Sequence, residues 1–104
     1  MIIATAEFRI NDGKEAEAVA AIEKVVAAVN ASEPGALTYT WHRDVKDTAR
    51  ILVYEVWADE EATKLHRETE HMGEFNKEFG RAKGVFDPES VKITRLESIA
   101  AIDR

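Results

Sequence analysis

Arg50-Ile51-Leu52-Val53-Tyr54-Glu55-Val56-Trp57-Ala58 reads as a strand with two apolar faces. Side chains alternate at period two, so Ile51, Val53, Glu55 and Trp57 share one side while Leu52, Tyr54 and Val56 share the other. Helices laid on one face of a sheet cover only one of these sides. The second needs a partner, and face-to-face pairing of the sheets of two copies supplies it. On the helix side, Glu55 is a carboxylate in a mostly apolar layer. It must be paired or protonated there, because an unpaired buried charge is too costly. Arg95, Arg9 and His66 are its candidate partners.

Working outward from this strand, the chain reads as strand, helix, strand, strand, helix, strand. Residues 2–10 alternate, with Ile2, Ala4, Ala6, Phe8 and Ile10 on one face. Asn11-Asp12-Gly13 stops that strand, and Asp12 with Glu15 three residues on forms a candidate capping box. The following helix carries Val19, Ile22, Val26 and Val29 at spacings of three and four, and Glu33-Pro34-Gly35 ends it. Residues 36–45 form the next strand, with Leu37, Tyr39 and Trp41 on one face. The turn Lys46-Asp47-Thr48 joins it to the strand at 50–58 as a hairpin, with Arg43 and Asp44 serving the turn. Asp59 caps a helical region over 60–81, and a strand over 90–99 closes the chain. This βαββαβ order predicts a ferredoxin-like α+β sandwich, an antiparallel sheet with both helices on one side.

The chain has 104 residues, enough for one core and therefore one domain over 1–104. No apolar run approaches the ~20 residues of a bilayer helix, and the first residues, with a carboxylate at Glu7 and no basic leader, do not read as a signal peptide. With no cysteine there is no disulfide, thiolate nucleophile or thiolate metal site. A net charge of −6 without a Lys/Arg cluster argues against nucleic acid as a partner. The expected setting is the cytoplasm, with no membrane association.

The chemistry concentrates between Glu55 and Phe79. His66 and His71 first suggest a metal pair. Helical ligand pairs stand three or four residues apart, whereas a spacing of five turns the second side chain ~140° away, so no metal is expected. A break in the helix fits better. Thr69 is a good N-cap, Glu70 suits the first turn of a new helix, and Met72, Phe75 and Phe79 then face inward. His66 would end one helix and be easier to protonate, while His71 would begin the next and favour the neutral ring. The plainer reading of each histidine is a helix-end packing residue. Trp57 reads first as a core residue rather than a contact, and Tyr39 and Trp41 would line a pocket or an interface between copies. His42 reads as a surface residue, and Arg67, Glu68 and Glu70 as a solvated face.

Three stretches together resemble the antibiotic biosynthesis monooxygenase domain family, in its small single-domain, quinol monooxygenase-like branch. They are Glu33-Pro34-Gly35-Ala36-Leu37-Thr38-Tyr39, Tyr54-Glu55-Val56-Trp57-Ala58-Asp59-Glu60-Glu61-Ala62 and His66-Arg67-Glu68-Thr69-Glu70-His71-Met72. The resemblance implies a dimeric α/β barrel and oxidation of a phenolic or quinol-type small molecule by molecular oxygen, with no metal, flavin or haem as cofactor. Such chemistry needs a base, a group near the resulting anion and a dry wall. His66 or His71 would take the proton, with Glu55 as the carboxylate and Arg95 near the anion. Trp57, Met72, Phe75, Phe79 and Tyr39 would contact the substrate. Val53 and Thr63 stand where polar or phenolic partners occur in oxygenase members, so that constellation is incomplete. The alternatives are an isomerase of a small hydroxylated ketone and a non-catalytic dimeric ligand-binding or stress-response protein. Haem degradation fits less well, since the first strand offers Ala4, Ala6 and Phe8 where haem-degrading relatives carry asparagine.

Overall fold

The computed structural model describes residues 1–80 and 84–104. Its elements run β1 (Ile2–Arg9), α1 (Glu15–Ser32), β2 (Ala36–Arg43), β3 (Arg50–Trp57), α2 (Glu60–Glu68), α3 (Glu70–Asn76), a 3-10 turn (Pro88–Ser90) and β4 (Lys92–Leu96). The strands form one antiparallel sheet in the order β2-β3-β1-β4, the ferredoxin-like arrangement that the element order predicts.

Register explains the two-faced third strand. Ala4 pairs with Glu55, Ala6 with Val53 and Phe8 with Ile51, so these side chains point together at the helices. Ile51, Val53 and Trp57 are buried there, and Phe8, Ile10, Val25, Phe75 and Phe86 complete the core. On the opposite face, Leu52, Tyr54 and Val56 stand beside Ile3 of β1, and no helix among the described residues covers them: Tyr54 is 38% and the neighbouring Leu96 44% exposed.

Several local expectations shift. The cap of α1 is Lys14, without a side-chain hydrogen bond, so the Asp12–Glu15 capping box does not form; Gly13, at φ 76°, turns the chain there instead. The buried stripe of α1 is Ala18, Val25 and Val29, which leaves Val19 and Val26 on its flanks. A bulge between Ala36 and Thr38 makes Leu37 the extra residue of β2 and leaves it 53% exposed, so it does not share the face of Tyr39 and Trp41. The last strand is shorter than the 90–99 stretch, and helical structure stops at Asn76; Arg81 lies outside the described residues.

The connection before β4, punctuated by glycines in sequence, supplies the most buried aromatic. Phe86 bridges to Ile10 and Phe79 and meets the rings of Phe8, Phe75 and Phe79 at centroid distances of 5.1, 5.3 and 5.1 Å. This loop closes on itself where Gly84 passes Gly80: a Cβ on Gly84 would collide with the Gly80 backbone. Only a residue without a side chain permits that approach.

Candidate active site

Pro34 makes helical geometry unfavourable for the residue before it, so α1 ends and Glu33 leaves the helix axis at φ −121°, ψ 81°. Its side chain is 7% exposed and reaches the junction of α2 and α3. That junction is the break at Thr69, whose extended backbone (φ −70°, ψ 151°) separates the two helices. The Thr69 hydroxyl donates to the His66 carbonyl at 2.8 Å and accepts from the Met72 amide at 3.3 Å.

The break redirects both imidazoles onto one carboxylate. His66 Nδ1 lies 2.9 and 3.1 Å from the two Glu33 oxygens, and His71 Nε2 lies 2.5 Å from Oε2. Two corrections follow. The divergence expected from a spacing of five holds on a continuous helix, and Thr69 removes that condition. The expectation that His66 protonates easily at a helix end also fails. Burial dominates and lowers its pKa, the Glu33 charge and hydrogen bond oppose this in part, and His71 and Arg67 add to the lowering. A neutral His66 that donates Nδ1–H to the carboxylate keeps its lone pair on Nε2.

On its other side His66 faces a cavity of about 570 Å³ between the sheet and the helices α2 and α3. The Trp57 ring lies 4.5 Å from the imidazole, centroid to centroid, and the Tyr39 ring 5.4 Å from it. Eight of the nine residues expected to do chemistry or touch substrate line this space: His66, Glu55, Arg95, Trp57, Met72, Phe75, Phe79 and Tyr39. The exception is His71, which opens onto a separate depression between α1 and α3 and shares the Glu33 carboxylate with His66. Val53 and Thr63 line the cavity as well. The Thr63 hydroxyl is occupied, donating to the Glu60 carbonyl at 2.7 Å.

The partners proposed for Glu55 are taken elsewhere. Arg9 pairs with Asp47 at 2.7 Å, Arg95 with Glu60 at 2.8 Å, and His66 with Glu33. Glu55 instead accepts from the Nε1–H of Trp57, two residues along the same strand face, at 3.0 Å. Burial raises its pKa above the ordinary carboxylate value, and the indole hydrogen bond lowers it to a lesser degree. Burial foremost, and then the Glu55 charge, also raise the pKa of Tyr39, which keeps the phenol neutral. The Arg95 guanidinium sits at the exposed rim with its charge offset by Glu60, so it is less available to an anion than its position on the last strand implies.

Glu33 and Asn76 are absent from the sequence-based candidates, Trp41 lines the pocket, and Arg67, expected on a solvated face, is exposed but reaches the cavity rim. Glu33 reads in sequence as turn punctuation before Pro-Gly, and nothing local marks it as a ligand of two histidines. Trp41 lines the cavity with its Nε1 buried and, among the described residues, without a hydrogen bond of ordinary geometry, and Asn76 adds an amide to the wall.

The family model for antibiotic biosynthesis monooxygenase matches residues 1–78. The chain belongs to that family. The matched stretch contains Glu33, Glu55, Trp57, His66 and His71, while Phe79 and Arg95 lie beyond it. Among solved structures, PA3566 from Pseudomonas aeruginosa is similar at 25% identity and a TM-score of 0.81, over 95% of this chain and 94% of that one. A protein described as an antibiotic biosynthesis monooxygenase is similar at 19% identity and TM-score 0.81, over 96% and 100%. Rv0793 from Mycobacterium tuberculosis shares the fold at 14% identity and TM-score 0.79, over 98% of each chain. A comparison with curated proteins found no match. As in the reading from hydropathy, no helix among the described residues of this family member is long and apolar enough to cross a membrane.

Proposed function

We propose that the protein is a cofactor-independent monooxygenase that oxidises a phenolic or quinol-type small molecule with molecular oxygen. The observation that carries this reading is the buried, neutral-biased His66, held by Glu33 through Nδ1 at the wall of an aromatic cavity. Oxygen reacts slowly with closed-shell organic molecules because the spin change is forbidden, so the substrate must first become an electron donor. A quinol does so as its anion. His66 Nε2 takes the hydroxyl proton, Glu33 stabilises the imidazolium that forms, and Trp57, Tyr39, Met72 and Phe75 exclude water. The quinolate then passes an electron to oxygen, and the radical pair joins at a ring carbon as a hydroperoxide. Cleavage of its O–O bond leaves one oxygen on the ring and releases the other as water. The balance is quinol plus O₂ to hydroxyquinone plus water, so the substrate supplies all four electrons. The buried indole N–H of Trp41 is a hydrogen-bond donor available to the developing oxyanion.

The test is oxygen uptake by chelator-treated protein with a panel of quinols and phenols. Consumption in proportion to protein, with one oxygen atom from ¹⁸O₂ in the product, is the expected result. No uptake with any member of the panel, alongside measurable binding, would return the cavity to a ligand-binding role.

The same reading makes the protein a cytoplasmic homodimer. The uncovered side of the sheet, with Ile3, Leu52, Tyr54, Val56 and Leu96, fits a second copy of itself across a two-fold axis. Sedimentation equilibrium should give twice the chain mass; a species of 11.6 kDa at micromolar concentration would remove the dimer.

A further inference from the structure

We infer that Glu33, His66 and His71 form a binding site for one divalent transition cation of the zinc class. The three donors, His66 Nδ1, His71 Nε2 and a Glu33 carboxylate oxygen, all lie within 4.8 Å of one another. Two imidazoles and one carboxylate are a donor set that holds zinc while leaving a fourth position for water or another ligand. Ligand atoms at about 2.0–2.1 Å from a tetrahedral zinc stand about 3.3 Å apart. The carboxylate would therefore retreat from its close contact with His71, and the two ring nitrogens would approach each other. His66 is pinned against Trp57, so this adjustment falls to Glu33 and to His71, whose side chain is 20% exposed.

The site also has a way in. His71 lines a depression of about 460 Å³ together with Glu70, Glu74 and Glu78, and among the described residues Lys24 is the one cation on its wall. Glu74 is paired with Lys77 at 3.3 Å, so Glu70 and Glu78 stand against Lys24, and on a chain of net charge −6 they favour cations at the door of the site. Inside, a dication replaces two N–H donors as the partner of a buried carboxylate and more than offsets its charge.

Occupancy has a chemical consequence for the cavity. A neutral imidazole bound to metal through Nδ1 carries its proton on Nε2. His66 would then present an N–H to the cavity where it otherwise presents a lone pair, and the base would be switched off. This consequence rests on the oxygenase reading above, whereas cation binding does not.

The test uses the full chain, stripped with chelator, and titrates it with zinc chloride by calorimetry and with cobalt(II) by visible absorption. One saturable site per chain and the intense ligand-field bands of four-coordinate cobalt are expected. His71→Ala and Glu33→Gln should each weaken binding about tenfold or more, and His42→Ala should leave it unchanged. No saturable binding, or binding that survives both ligand substitutions, or binding lost in His42→Ala, would overturn the site. Oxygen uptake should fall in step with zinc occupancy and return with chelator. A protein that binds zinc in this pattern but consumes no oxygen with any quinol keeps the site and loses the oxygenase reading, so the two failures are distinguishable.

Discussion

Replacing His66 with glutamine should lower kcat for quinol oxidation by roughly 10²–10⁴-fold, the usual contribution of a positioned general base. Glutamine is close in size and stays polar, so the aromatic packing around it should persist; near-ultraviolet circular dichroism from Trp57, whose ring lies 4.5 Å from the imidazole, checks this. The pH profile gives a second signature. The base works only as the neutral ring, so kcat/KM should fall as pH drops through the His66 pKa. Burial lowers that pKa below the ordinary histidine value of about 6.5. Activity should therefore hold at neutral pH and through about 6.5, and decline only in more acidic solution. The His66→Gln protein should lack this acidic limb. Wild-type turnover in His66→Gln would end the assignment of His66 as base.

Glu33→Gln should cost nearly as much activity, though Glu33 does not line the cavity. The carboxylate accepts from both imidazoles, which fixes the His66 proton on Nδ1. The carboxylate offers an acceptor oxygen at both positions, whereas an amide replaces one of them with a donor NH₂. Where its NH₂ faces His66, the ring must accept through Nδ1 and carry its proton on Nε2, the wrong tautomer for a base. A fall in kcat on the order of 10²–10⁴-fold with KM little changed is the expected split. Nitrogen NMR of the imidazoles should show the proton moved from Nδ1 to Nε2 of His66. A residue that merely props the fold would lower stability without moving that proton. An unchanged tautomer with unchanged kcat would remove Glu33 from the mechanism. An imidazole N–H left without an acceptor should also cost about 1–3 kcal/mol of stability, visible as a lower Tm at about 4–8 °C per kcal/mol in a domain of this size.

The sheet and its order were legible because period-two alternation is local. Reading Ile51, Val53, Glu55 and Trp57 onto one face needs only the pleat, and the observed register places Glu55 opposite Ala4 and Tyr39 as that face requires. The helix break at Thr69 was legible for the same reason, since a hydroxyl that caps the next turn acts within three residues. The capping box at Asp12 was misread where Gly13 offered the chain a tighter turn, and the face of Leu37 was misread because a bulge adds a residue without any sign in the alternation.

The partners of charged groups were harder to read. Arg9, Arg95 and His66 were each plausible for Glu55 by charge alone, yet each has a nearer acceptor in the folded chain. Charge complementarity has no direction along a sequence, and the winning pair is whichever the fold brings within hydrogen-bond reach. The Trp57 indole satisfies Glu55 at the least distance, two residues away.

By itself, the sequence of this protein determined the α+β sandwich, the apolar layer carrying Glu55 and Trp57, and the two apolar faces of the third strand. All three follow from short-range periodicity and the cost of burying charge. Only the tertiary structure decided that Glu33, more than 30 residues from either histidine, joins His66 and His71. Proline ends α1, Thr69 bends the path between α2 and α3, and the packing of α1 against α3 carries the three side chains to one point. That convergence is a property of chain geometry summed over three elements, and no local pattern encodes it.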